Sequence, residues 1–313
     1  MRPFRFLAEA VEVSDGRRLA ETARRGESMG YAGLVFSDHL LDQLAPIPAM
    51  ATVAASTDRL RVGTFVLNND LRYPAVLAQD LATVDVLSGG RLDVGIGAGW
   101  NEPEYRAIGM PFEPVGTRVE RLAEAVTVLK GAFAGEPFTY RGEHYAVEGL
   151  EGRPVPVQRP HPPFLIGGGG RRILALAGRE ADVIGLAPRI LPSRRSDPRS
   201  LTLEATAEKI GWVREAAGER FDSLEMNVYP SVSRIIVTDH ARREATALAG
   251  KLRARTGIDI TADELLESPH IFIASVDGFM AKFRELRERL GITSFMVGGI
   301  DELAPVVERL AGT

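Results

Sequence analysis

Eight short runs rich in Val, Ile and Phe recur along the chain, with longer stretches of helical period between them, and this alternation restricts the fold more than any other feature. The runs are Phe4–Ala8, Gly33–Ser37, Leu60–Leu67, Arg91–Gly97, Pro163–Gly167, Asp182–Leu186, Leu224–Val228 and Ser294–Gly298. Strands that alternate with helices pair in parallel and carry the helices outside the sheet. Eight such units suit a closed (β/α)8 TIM barrel. The 313 residues exceed the ~250 typical of that fold, and no compositional break divides them. The expected organisation is therefore one domain, 1–313, with insertions near 135–160, 188–200 and 249–275. Within the first insertion, Gly135–Gly149 alternates like a small antiparallel ribbon; the second is a basic loop, and the third mixes polar and apolar residues without a clean period.

The helical stretches carry their own signals. Asp15 can cap a helix bearing Leu19, Ala23 and Met29, and Pro74 stands where a first-turn proline is tolerated before Leu77, Leu81 and Val84. Val119, Leu122, Val126, Leu129 and Phe133 make a third apolar face. Asp277 precedes Phe279, Phe283, Leu286 and Leu290, and Gly291 follows as a C-cap.

Composition narrows the classes of partner. A net charge of −4 offers no general attraction to phosphate backbones or anionic lipid, so small molecules are expected rather than nucleic acid or a membrane. The chain has no cysteine, which excludes disulfides, zinc–thiolate sites and cysteine nucleophiles together. The opening residues MRPFRFLAEAVEV are too acidic and their apolar stretch too short for a signal peptide, and no run of ~18 apolar residues follows, so the expected location is the cytoplasm.

In a barrel of this kind the chemistry comes from the carboxyl ends of strands and the loops after them. The second run ends in Ser37-Asp38-His39, a carboxylate beside an imidazole that titrates near neutrality and suits proton transfer; the other reading is a histidine bonded to a loop carbonyl. The third run ends in Asn68-Asn69, whose amides suit either the polar edge of a heterocycle or a turn. The fourth ends in Gly95-Ile96-Gly97-Ala98-Gly99-Trp100-Asn101, where alternate glycines let a flat ring approach the backbone or simply permit a tight turn. The fifth enters Gly167-Gly168-Gly169-Gly170-Arg171 ahead of a helical stretch. Backbone amides at a helix start form an anion site, so a phosphate is the expected guest. His144, His161, His240 and His270 lack metal-ligand spacing, and no metal is expected. The Arg189, Arg194, Arg195, Arg199 cluster reads as a solvated loop.

The order of these pieces resembles the bacterial luciferase-like family, and particularly its branch using the deazaflavin coenzyme F420. Ser37-Asp38-His39 is similar to the element after the second strand of the deazaflavin-dependent sugar-phosphate dehydrogenases. Gly63-Thr64-Phe65-Val66-Leu67, Tyr73-Pro74-Ala75-Val76, Gly89-Gly90-Arg91-Leu92 and Gly97-Ala98-Gly99 are similar to those enzymes at nearly constant spacing. The resemblance implies hydride transfer between coenzyme F420 and a small organic substrate in a homodimeric enzyme. It places Asp38 and Asn68 near the deazaflavin and His39 beside its reactive carbon, with Asp38 next in line as the proton-transfer group. A non-prolyl cis peptide at Phe65-Val66 would lie against the ring, and Gly168, Gly169, Gly170 and Arg171 would surround the phosphate. Gly97, Ala98 and Asn101 complete the implied cofactor set. An FMN-dependent monooxygenase using oxygen and a non-catalytic flavin-carrying protein are the two alternatives within the family. The chain departs from the sugar-phosphate dehydrogenases at Trp100, where they place a glutamate, and its four lysines (Lys130, Lys209, Lys251, Lys282) supply no matching phosphate clamp. Glucose 6-phosphate is therefore a poor substrate expectation.

Overall fold

In the computed structural model, which describes residues 2–10, 15–40, 42–191 and 193–313, the elements follow the expected alternation. Met1 and Val11–Val13 of the amino-terminal stretch, and Pro192 of the 188–200 insertion, lie outside the described residues. The chain begins β1 (Arg5–Glu9), α1 (Gly16–Ser28), β2 (Gly33–Phe36), α2 (Pro46–Ser56), β3 (Arg61–Thr64), β4 (Leu67–Asn68), α3 (Pro74–Ser88) and β5 (Leu92–Gly97). It continues through α4 (Glu102–Ala107), α5 (Val115–Ala134), β6 (Phe138–Arg141), β7 (Ala146–Leu150), β8 (Phe164–Gly168), α6 (Arg171–Glu180), β9 (Val183–Leu186) and α7 (Leu203–Ala217). The remainder is β10 (Glu225–Val228), β11 (Ile236–Val237), α8 (Ala241–Thr256), α9 (Ala262–Glu267), β12 (Ile273–Ala274), α10 (Val276–Leu290), β13 (Ile292–Met296) and α11 (Ala304–Leu310). Each of the eight expected strands is present, the third divided into β3 and β4 at a cis Phe65–Val66 peptide. The fold class is the (β/α)8 barrel.

By proximity of its residues the chain forms two compact units, a smaller one of residues 10–24 and 34–165 and a larger one of 1–9, 25–33 and 166–313. In the smaller unit β5 pairs in parallel with β3 and then with β4, in the registers Val62↔Leu92 and Asn68↔Gly97. Asp15 accepts from the amides of Arg17 and Arg18 and so caps α1. Pro74 occupies the first turn of α3, and Gly89 closes that helix at φ +67°, which glycine adopts without a Cβ penalty. The apolar face of α5 is buried as its spacing predicts, from Val119 to Phe133. β6 and β7 pair antiparallel and confirm the ribbon.

The larger unit carries the strand order β1-β13-β10-β9 and β8 from Ile166 onward. Phe6 and Phe295 are directly opposed on β1 and β13, and Phe272, Phe279 and Phe283 complete a buried aromatic cluster with them. The N-cap of α10 is Ser275, whose hydroxyl accepts from the Gly278 amide, while Asp277 lies in the first turn and Gly291 ends the helix at φ +67°. The 249–275 insertion begins inside α8. Only Ala245 and Leu252 of that helix are buried, which is why it shows no helical period in the sequence.

Lys209 on α7 is 1 % exposed, and its ammonium donates to the carbonyls of Ala187 (2.8 Å) and Ser200 (2.9 Å). Burial, aided by Arg189, pushes its pKa down to about 8, and burial likewise pushes Lys282 down to about 7. An unfolded lysine titrates near 10.5, so between these values the unfolded chain binds more protons than the fold. Stability should therefore rise with pH from about 7 to about 10, the neutral amine of Lys209 keeping two N–H donors for its two carbonyls. Urea unfolding midpoints at pH 7 and pH 9 check this, with Lys209→Met expected to lessen the rise and leave the part due to Lys282; a flat wild-type profile contradicts it.

Candidate active site

In the smaller unit the chain leaves β2 and turns at Ser37, whose carbonyl accepts from the Gln43 amide at 2.8 Å. The turn sends the next two side chains to different partners. Asp38 is buried, and Arg72 donates to both of its oxygens, Nη2 to Oδ1 at 3.0 Å and Nη1 to Oδ2; Oδ2 also accepts from the Asn68 amide at 2.9 Å. It is thus not a free carboxylate beside His39 but an anchor for the chain just past the cis peptide.

His39 keeps 22 % of its side chain exposed and places Nδ1 3.0 and 3.1 Å from the two oxygens of Glu104. Glu104 is 6 % exposed and comes from α4, a short helix with Pro103 in its first turn. The indole of Trp100 meets the His39 ring edge-on, centroids 5.5 Å apart, while Trp100 itself is 62 % exposed. The position where a glutamate is absent is therefore followed, four residues later, by a glutamate that reaches the same histidine.

The glycines of β5 serve close packing of the chain on itself. A Cβ on Gly95 would stand 1.8 Å from the Thr64 carbonyl oxygen, and the Thr64 hydroxyl bonds to the carbonyl and amide of Gly95. A Cβ on Gly97 would meet Val66 at 2.9 Å, and one on Gly99 would meet the Tyr105 hydroxyl at 2.0 Å. The space beside these glycines is thus occupied by Thr64, Val66 and Tyr105. Phe65 and Val66 themselves stay half-buried.

Behind Asn68 lies a set of residues that no sequence motif marked. The Tyr105 hydroxyl bonds to Asn68 Oδ1 (2.9 Å) and Asp70 Oδ2 (3.0 Å), and burial pushes its pKa up to about 12, so it remains a neutral donor. Arg121 pairs with Asp70 at 3.0 Å and with Glu113. Arg118, buried and lying over the Phe112 ring, donates to the carbonyls of Ala98 and Gly99 and so pins the turn that leads to Trp100. Asn101 is the N-cap of α4, without a side-chain capping bond. Asn69, also buried, donates to the Tyr145 hydroxyl at 3.2 Å, as a structural amide does.

The glycine-rich turn belongs to the larger unit. β8 runs to Gly168, and α6 begins at Arg171 with Gly170 as an N-cap that supplies no side-chain bond. A Cβ on Gly168 would lie 2.3 Å from Ile173, and one on Gly169 2.4 Å from the Pro188 carbonyl oxygen; at Gly170 the space is open. Arg171 is exposed and pairs with Glu215 at 2.7 Å. In the basic loop, Arg199 is held by Asp197 and Arg189 lies over Trp212. His270 is fully buried, and no group of three or more residues able to hold a metal ion occurs among the described residues.

A family model described as luciferase-like monooxygenase matches residues 3–293. An F420-dependent glucose-6-phosphate dehydrogenase of Microbacterium testaceum is 34 % identical over 189 residues, 58 % of this chain and 55 % of that protein, so the chain spans about half the length of that relative. The enzyme of the same name from Nakamurella multipartita is 30 % identical over 272 residues, 82 % of this chain and 76 % of its own length. Among solved structures, the coenzyme F420-dependent tetrahydromethanopterin reductase of Methanopyrus kandleri superposes with a TM-score of 0.75 at 19 % identity, covering 99 % of this chain and 98 % of that one. That likeness carries the barrel fold.

Proposed function

This chain belongs to the luciferase-like monooxygenase family, and we propose that within it the chain is a coenzyme F420-dependent oxidoreductase, transferring a hydride between the deazaflavin and a small organic substrate. The observation that carries the reading is a part-exposed imidazole, His39, bonded to a buried carboxylate at the end of a barrel strand. Proton transfer coupled to hydride transfer needs such a group. The names of the relatives at 30 and 34 % identity support the choice of coenzyme.

The residues fit the coenzyme. When bound, it supplies a carbon that accepts or donates a hydride and reacts poorly with oxygen. In the smaller unit the half-buried Phe65–Val66 peptide offers a surface for the ring, with Asn68, Gly97, Ala98 and Asn101 around it. Asp38 contributes by holding the Asn68 amide and Arg72 in place. His39 gives or takes the substrate proton. In the larger unit, the α6 start lacks a side-chain cap, so its first-turn amides suit the phosphate, with Gly168, Gly169, Gly170 and Arg171 forming the turn. Trp100 in place of a glutamate disfavours a sugar phosphate and favours a substrate with an apolar face. The family resemblance supports a cytoplasmic homodimer, and no helix among the described residues is long and apolar enough to cross a membrane.

Side-by-side titration with oxidised coenzyme F420 and with FMN tests the reading. Coenzyme F420 is expected to bind with a micromolar or lower Kd and FMN distinctly more weakly. Equal or reversed preference would transfer the chain to the FMN-dependent monooxygenases of its family.

A further inference from the structure

We propose that Glu104 is the positioning residue of the site: its carboxylate accepts the Nδ1–H of His39, fixes the tautomer and leaves Nε2 as the atom that exchanges a proton with the substrate. The catalytic part of this rests on the function proposed above, whereas the tautomer does not.

An ionised carboxylate only accepts, and a neutral imidazole carries one proton on one of its nitrogens. With both Glu104 oxygens 3.0 and 3.1 Å from Nδ1, that nitrogen must hold the proton, and Nε2 is left with its lone pair. No other hydrogen bond to the ring is found among the described residues. The Trp100 ring packs edge-on against the imidazole in this orientation, centroids 5.5 Å apart.

The energetics point the same way. A carboxylate as buried as Glu104 is costly without a partner, and the neutral N–H of His39 compensates only in part. When Nε2 takes a proton the contact becomes a full ion pair. The carboxylate thereby stabilises the protonated histidine that follows removal of a proton from an alcohol-type substrate, or that precedes delivery of one in reduction. Pro103 in the first turn of α4 presets the helix that carries Glu104, so this orientation is built before substrate arrives.

The test uses full-length protein labelled with 15N in histidine, the His39 signals being assigned by their loss in His39→Gln. Without coenzyme, wild-type His39 is expected to show the protonated-Nδ1, bare-Nε2 pattern. Glu104→Gln offers Nδ1 a donor as well as an acceptor and is expected to mix the two tautomers. With coenzyme F420 bound, the same variant should slow the hydride step by about 10–100-fold, the usual effect of losing a partner that orients a histidine, with coenzyme Kd unchanged. A wild-type spectrum with the proton on Nε2 overturns the proposal and needs no variant to fold. A Glu104→Gln protein with mixed tautomers and an undiminished rate overturns the positioning role. If coenzyme F420 does not bind while the wild-type tautomer is as expected, the functional reading fails and the Glu104–His39 assignment stands.

Discussion

His39→Ala should slow the chemical step by roughly 10²–10⁴-fold, the usual contribution of a positioned acid or base, while coenzyme affinity changes little. The imidazole keeps 22 % of its side chain exposed and is tied to the protein through one nitrogen, so truncation removes the proton carrier without opening the core, and any loss of stability comes from the Glu104 carboxylate left without its partner. A histidine that serves packing alone makes the opposite forecast, with coenzyme affinity falling and turnover per loaded molecule preserved. Single-turnover reduction or oxidation of bound deazaflavin, followed by its absorbance at saturating coenzyme, isolates the step. A near wild-type rate would remove His39 from the reaction. Asp38 is not a ready substitute, because both of its oxygens are engaged by Arg72.

Gly170→Asp should weaken coenzyme binding by about a hundredfold. Two unit charges ~5 Å apart at an effective dielectric constant near 20 repel by about 3 kcal/mol, and the new carboxylate would also take the first-turn amides that the phosphate needs. The fold should not suffer. Gly170 has φ −107°, nothing stands within 4 Å of an added Cβ, and aspartate is among the best N-cap residues. Unchanged or raised melting temperature with lost affinity is therefore the expected signature, and Gly170→Ala should stay near wild type in both. Aspartate at Gly168 or Gly169 does not give this separation, since a Cβ there would collide with Ile173 or the Pro188 carbonyl. Wild-type affinity in Gly170→Asp would place the phosphate elsewhere.

Much of the framework was legible because several barrel strands are buried on every residue. β2, β9 and β13 are continuous apolar or small-residue runs for that reason, and such runs stand out between amphipathic helices. α8 did not stand out because two buried residues in sixteen leave no stripe. The site was legible only in part. His39 and the glycine turn sit at strand ends, where position alone selects them. Glu104 lies 65 residues from His39, and neither spacing nor composition encodes a contact across that distance. Arg72 and Arg118 were hidden among many arginines, with partners set by packing. The glycines of β5 and of the turn after it were visible as glycines, but the reason for each, a carbonyl, a valine or a phenol where Cβ would be, exists only in the folded chain.

Trp100 and Glu104 stand four residues apart, one 62 % exposed and the other 6 % exposed, yet both touch the same imidazole. The consequence concerns how such an enzyme can diverge. An exposed side chain at a loop position can be exchanged at little cost in stability, whereas the buried carboxylate cannot. Arg118 holds the turn that leads into Trp100 by the backbone carbonyls of Ala98 and Gly99, which are indifferent to the side chain at position 100. Under the proposed function, descendants of this sequence can therefore drift in the molecules they accept through residue 100, while the His39–Glu104 pair passes unaltered from one specificity to the next.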